Sequence, residues 1–288
     1  MAAPITFTLD LEDHRPHPAV EARYPMVTRE ILAALDERAI TGTFFVVGEI
    51  AAAEPDLVRD IAAAGHELAL HGWRHVVLTE QTPDELAGDL RRGKDLLEDL
   101  GQREVVGFRA PTFSLVATTV WATEVLVEAG FRYSSSVLPG PSPLYGFPGA
   151  PHDPFVWPSG LAELPVPTAG AGRVQLPYLG GTYLRILPER LIAAVHQRGD
   201  RTLPWTYVHP YDVDTAEPYW VVPDAGWMSP ALWVGRRGLL AKLDRLGASR
   251  GGFGPPLRDR LDLAAAGGTF TPPAAGAPIL QTTAAEAP

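Results

Sequence analysis

Four short motifs carry groups able to do acid–base or metal chemistry. They are Asp10-Leu-Glu12-Asp13, His71-Gly-Trp-Arg-His75, Arg109-Ala-Pro111 and His209-Pro-Tyr-Asp212. His71 and His75 are four residues apart, a spacing that lets two imidazoles face one ion from a helix or a tight loop. His66 makes a third histidine within the same ten residues. Asp10, Glu12 and Asp13 crowd three carboxylates into four positions, and a bound cation relieves their repulsion. Two His and one carboxylate leave coordination positions open for water and substrate, as a hydrolytic metal site requires. An acid that is not a ligand is then free to act as a general base. Each group also has a plain structural reading: loop histidines, a solvated acidic loop, a packed His209 and a structural Arg109. Gly72, not Glu, follows His71, so the pair is not the HExxH of a zincin helix.

Composition limits the choices further. The chain has 288 residues and no cysteine. Disulfides, thiolate zinc sites, iron–sulfur clusters and a cysteine nucleophile are excluded, so any metal must be held by His and carboxylates. Lys and Arg total 24 against 34 Asp and Glu, a net charge of −10. That argues against a nucleic-acid partner. Asparagine is absent, and with it every N-glycosylation sequon. The first ten residues lack a basic segment and a long apolar run, and no window reaches the roughly 18 apolar residues of a spanning helix. The expectation is a cytoplasmic protein without a transmembrane segment.

The elements that must position these motifs follow a βαβα pattern. Strands are expected over 4–10, 42–47, 67–70, 105–109, 131–135 and 205–209. Helices are expected over 27–38, 55–64, 83–100, 118–129 and 188–198, with Thr82 and Glu85 forming a capping box. Such repetition predicts an α/β protein with a parallel sheet or barrel. All four motifs fall just past the C-terminal end of a strand, where parallel α/β folds bind ligands. Residues 138–177 are rich in Pro and Gly and read as irregular loops over one mouth of the barrel. Residues 264–288, mostly Ala, Gly, Pro and Thr, read as a disordered tail.

Taken in order, Phe7-Thr-Leu-Asp10-Leu-Glu-Asp13, Thr43-Phe-Phe45, Gly65-His-Glu67, His71-Gly-Trp-Arg-His75, Arg109-Ala-Pro111 and His209-Pro resemble the polysaccharide deacetylases of the NodB-homology type, carbohydrate esterase family four. Phe108-Arg-Ala-Pro-Thr-Phe-Ser114, Glu163-Leu-Pro-Val166, Gly180-Gly-Thr-Tyr-Leu-Arg185 and Val208-His-Pro-Tyr-Asp212 resemble a bacterial subgroup with an extra C-terminal region, found near exopolysaccharide genes. The resemblance covers about residues 5–262. It implies a distorted (β/α) barrel of about seven strands over residues 1–263, with irregular additions at about 138–185 and 212–263.

The resemblance also implies a divalent metal, most often zinc, with Co, Ni, Fe or Mn as other options. His71 and His75 would be ligands, Asp10 the base on the metal's water, His209 the acid and Arg109 the group that holds the base. The family commonly has two adjacent Asp residues, whereas Leu11 separates Asp10 from Glu12. Period-two alternation puts Asp10 and Glu12 on one strand face and favours Glu12 as the carboxylate ligand, with Asp13 as the alternative. Ser134 stands where many relatives carry an Asp that orients the acid, and Asp212 or Asp214 are the candidate replacements. Pro111, Tyr211 and a main-chain N–H near Thr112 would meet the substrate. Trp73, with Trp157, Trp205, Trp220 and Trp227, could stack on sugar rings or pack in the core. The implied activity is hydrolysis of N-acetyl groups on an N-acetyl-hexosamine glycan or its lipid-linked or nucleotide-linked precursor. Two alternatives are hydrolysis of a small cyclic amide or imide, and a glycan-binding barrel without activity.

Overall fold

The computed structural model describes residues 3–142, 144–171, 174–198, 203–222, 226–249 and 252–272. The chain folds as an α/β structure around a mostly parallel sheet. Strands β1 (Phe7–Leu11), β2 (Gly42–Val46), β3 (Glu67–Leu70), β4 (Gly107–Phe108), β5 (Tyr133–Ser134), β6 (Phe155–Val156) and β7 (Ala162–Glu163) lie in the order β1-β2-β3-β4-β5-β7-β6. All neighbours are parallel except β6 and β7. On the free side of β1, Thr6 pairs with Trp205 and Leu9 with Val208, and Tyr207 pairs in turn with Gly180. Among the described residues, the two ends of this arc meet through apolar packing. Leu164 and Val166 share the inner core with Leu203 and Trp205. The βαβα pattern predicts such a parallel α/β sheet, and the resemblance implies its distorted barrel form.

Alternation separates an outer core from an inner one. Phe7, Leu9 and Leu11 of β1 pack outward, while Thr6, Thr8 and Asp10 occupy the other face. Phe44 faces out and Phe45 in. The outer face is covered by α1 (Tyr24–Asp36), α2 (Gly48–Ala53), α3 (Pro55–Ala63), α4 (Pro83–Gly101) and α5 (Ala122–Glu128). Helix α1 buries Val27, Ile31, Leu32 and Leu35, one stripe at helical spacing. Helix α4 starts at the expected capping box of Thr82 and Glu85.

The C-terminal half is more regular than its composition implies. It holds a hairpin, β8 (Ala169–Ala171) and β9 (Val174–Leu176), and helices α6 (Gly181–Ile186), α7 (Glu189–Arg198), α8 (Leu239–Ala248) and α9 (Leu261–Gly267). Helix α8 lies in the stretch expected to be irregular, and it buries Leu239, Leu243 and Leu246 on one face. The disordered tail expected from residue 264 does not begin there. Ala264 is fully buried, Thr269 pairs with Val156, and Phe270 packs on Phe147, Phe155 and Trp157 at ring distances of 5.2–5.9 Å. Residues 273–288 lie outside the described residues. No helix among the described residues is long and apolar enough to cross a membrane.

Candidate active site

Strand register assembles the site. Leu11, Val46, Leu70, Phe108 and Ser134 form one row across the sheet. The next residues along the chain include Glu12, His71, Arg109 and Ser135, all at the C-terminal rim. His209 follows Val208, which pairs with Leu9. Residues about 200 positions apart therefore meet over one mouth of the barrel.

Glu12, His71 and His75 each offer one donor atom, and the three atoms lie within 4.8 Å of one another. His71 Nε2 is 3.8 Å and His75 Nε2 2.7 Å from Glu12 Oε2. His71 donates from Nδ1 to the main-chain carbonyl of Arg109 at 2.8 Å, which leaves the Nε2 lone pair facing Glu12. Burial lowers the His71 pKa to about 4, against the pull of Asp10, so the ring is neutral at pH 7. His75 Nε2 is buried and makes no hydrogen bond despite the close Glu12 oxygen. A buried imidazole nitrogen aimed at a carboxylate that a second imidazole also faces has the geometry of a ligand set. Two nitrogens and one carboxylate suit a divalent transition metal such as zinc. Burial pushes the Glu12 carboxyl up, but His75, His209 and His71 outweigh it and hold it well below the usual carboxylate range.

Asp10 stands apart from these donors. Its Oδ1 pairs with Arg109 Nη1 at 2.5 Å, while Oδ2 lies 4.0 Å from His71 Nε2 and 3.9 Å from His209 Nε2. The Arg109 guanidinium is fully buried between the rings of Phe45 (3.8 Å) and Trp205 (4.4 Å). It also donates to Thr8 Oγ1 and to the main-chain and hydroxyl oxygens of Ser135. These bonds and two aromatic faces leave the arginine a single pose, and Asp10 inherits it.

His209 closes the opposite side. Its Nδ1 meets Asp212 Oδ2 at 2.9 Å, and its Nε2 lies 3.5 Å from Glu12 Oε1. Burial alone would lower the His209 pKa, but Glu12, Asp212 and Asp10 raise it to about 9, so it carries a proton at pH 7. Tyr211 stacks on the His209 ring at 4.6 Å and donates its hydroxyl to Glu12 Oε1. Asp214, the other candidate partner, turns away and pairs with Arg23. Ser134 bonds to Ser136 Oγ instead of reaching His209. Arg185 holds the far side of Asp212. Sequence reasoning gives Arg185 no role, although it ends one of the motifs that carry the resemblance.

These groups line an open cavity of about 290 Å³ with Thr112, Phe113, Leu138, Tyr145, Tyr183 and Tyr207 among its walls. Tyr211 and Thr112 sit on it as expected. Three other expectations, for Asp13, Trp73 and Pro111, fail on burial or pairing. Asp13 points away from the donor cluster and pairs with Arg15 at 2.6 Å. Trp73 is buried beneath the Arg92 guanidinium (3.7 Å) and packs on Gly48, where a Cβ would meet the indole at 2.3 Å, so no sugar reaches it. Pro111 is buried and packs near Gly72, outside the cavity walls. His66, the third histidine of that stretch, accepts from the Gly42 N–H inside the fold, away from the site. Trp157 and Trp205 are core residues, Trp220 packs on His14 and Trp233, and the Trp227 side chain lies outside what the structure describes.

Residues 13–134 match the polysaccharide deacetylase family, and residues 135–249 match a domain of unknown function, DUF3473. Residues 13–134 thus carry a polysaccharide deacetylase domain of the NodB-homology type, and the extra C-terminal region follows it. A chitooligosaccharide deacetylase of Bradyrhizobium is 37% identical over 62 residues, 22% of this chain and 28% of that protein. A peptidoglycan-N-acetylmuramic acid deacetylase of Bacillus subtilis is 28% identical over 85 residues, 29% and 32% of the two chains. The matched stretches thus span about a third of these curated relatives. A solved Mycobacterium smegmatis protein, described as a polysaccharide deacetylase, superposes with a TM-score of 0.60 at 23% identity over 93% of both chains, which shows a shared fold. The first match opens at residue 13, so Asp10 and Glu12 stand on their geometry alone. The second stretch supplies His209 and Tyr211 to the same cavity that His71 and His75 line, with Asp212 buried behind His209.

Proposed function

We propose that this chain is a metal-dependent N-deacetylase acting on an N-acetyl-hexosamine glycan or its precursor. One observation carries the reading: a Glu12–His71–His75 donor set, an Arg109-held carboxylate and an Asp212-held imidazolium face one cavity from three sides. A divalent cation on Glu12, His71 and His75 would supply Lewis acidity towards water and an amide carbonyl.

The chain's own groups perform the proton transfers. Asp10 presents Oδ2 to the cavity and takes a proton from the attacking water. The water oxygen bonds to the acetamide carbonyl carbon and the C–N bond breaks. His209 Nε2 gives its proton to the departing nitrogen, and acetate and a free amine leave. Asp10 then loses its proton to solvent, and His209 regains one. The Thr112 N–H is the candidate oxyanion donor; it sits on a turn where Thr112 (φ 52°) and Phe113 (φ 57°) hold left-handed backbone. The aromatic walls from Phe113, Tyr145, Tyr183 and Tyr207 suit the faces of pyranose rings.

Incubation of the zinc-loaded protein with an N-acetylchitooligosaccharide tests the reading. Acetate and free amine should appear in equal amounts. Asp10→Asn should retain zinc yet release no acetate. Sugar binding without acetate, or turnover of a cyclic amide such as allantoin alone, overturns it.

A further inference from the structure

The motif Gly180-Gly-Thr-Tyr-Leu-Arg185 lines no reacting atom, yet it is built around the acid's partner. Helix α6 starts where the His209–Asp212 turn passes. Gly181 has no side chain, and a Cβ there would sit 1.8 Å from Asp212 Oδ2. The carboxylate occupies that space. Arg185, one turn further on, donates from Nε to Asp212 Oδ1 at 2.8 Å, and both side chains are fully buried.

The rest of the guanidinium is spent on holding itself still. Nη1 donates to the carbonyls of Ala231, Leu232 and Val234 at 2.7–3.2 Å, and Nη2 to Thr182 Oγ1. Asp212 Oδ2 in turn accepts from the His209 main-chain N–H at 2.8 Å and faces His209 Nδ1 at 2.9 Å. A carboxylate gripped on both oxygens cannot rotate, so it demands a proton on Nδ1 and sends Nε2 to the cavity. Burying an ion pair costs desolvation that apolar neighbours would avoid, so packing alone does not account for it. The arrangement repeats Asp10–Arg109 on the opposite side of the cavity.

We propose that Arg185 is a positioning residue for amide hydrolysis, anchoring Asp212 so that His209 keeps its orientation and tautomer. This rests on the deacetylase reading above. It gives the residues matched as a domain of unknown function a defined role, which is to build the acid arm of the site. Amide and ester substrates separate that role from a structural one. An amide nitrogen leaves only when protonated, whereas 4-nitrophenolate leaves without a proton. A mispositioned acid therefore slows the amide far more than the aryl ester.

The test compares full-length, zinc-loaded wild type, Arg185→Met and Arg185→Lys on an N-acetylchitooligosaccharide and on 4-nitrophenyl acetate. For Arg185→Met, kcat on the amide should fall by about 10²-fold or more, the scale of a general acid. Its KM and zinc content should stay near wild type, and the ester rate should change little. Arg185→Lys should recover part of the amide rate. Equal loss on both substrates, or an undiminished amide rate, overturns the assignment. Should Arg185→Met fail to fold, the Arg185→Lys comparison decides in the same way: selective amide loss supports the assignment and parallel loss overturns it. A wild type inert towards the amide overturns the deacetylase reading and this inference with it, and that outcome is visible before any variant is made.

Discussion

Arg109 grips Asp10 through Nη1 and Oδ1 at 2.5 Å, and its own main-chain carbonyl accepts from His71 Nδ1 at 2.8 Å. One residue thus fixes both the candidate base and the tautomer of a candidate ligand. The fixity comes from below, where Phe45 and Trp205 sandwich the guanidinium inside the barrel.

Arg109→Met should strand the Asp10 charge in a buried setting. Breaking a buried pair in this way costs about 3–5 kcal/mol, readable by urea unfolding. Adding Asp10→Asn should recover a large part of the loss, because no uncompensated charge remains. Strictly additive costs would instead assign the effect to lost packing on the two rings.

Acid sensitivity should trace in part to His66. It is buried, and its Nδ1 accepts from the Gly42 N–H at 3.1 Å. Burial lowers its pKa from the ordinary 6.5 to about 4. The unfolded chain then takes up the proton first, so His66 contributes stability in full above pH 6.5 and loses it as pH falls towards 4. His66→Asn keeps an acceptor near the Nδ1 position without titrating. Between pH 6.5 and 4 the unfolding free energy should fall more steeply for wild type than for the variant. Parallel pH profiles would contradict this.

Phe270→Ala should destabilise the fold by about 2 kcal/mol, below the range for a fully buried Phe because the ring is partly exposed. A tail without structure would give no change in the thermal midpoint.

Much of the site was legible because its residues come in short motifs at strand ends, and a parallel sheet brings such ends together whatever their distance in the chain. Period two puts Asp10 and Glu12 on one side of the chain, and both line the cavity, Glu12 one residue past the end of β1. What stayed hidden depends on which way a loop residue turns. Trp73 follows a glycine in a polar loop, and nothing in its neighbours foretells that Arg92 and Gly48 enclose it. Asp13 lies one residue beyond Glu12 and is claimed by Arg15, a local pairing that proximity in sequence permits but does not require. Helix α8 shows a helical spacing of leucines, masked by the Gly- and Pro-rich segments that flank it. The ordered end around Phe270 was hidden because one aromatic side chain, seated among three others, anchors a stretch of low complexity.

On the deacetylase reading, Glu12, His71 and His75 together hold one divalent cation. Anomalous diffraction at the zinc edge, from crystals of the zinc-loaded protein, tests it most directly. One peak per chain is expected among those three side chains, absent in His71→Ala and retained in Asp10→Asn. No ordered peak, or a peak centred on Asp13 and away from His71 and His75, would contradict it.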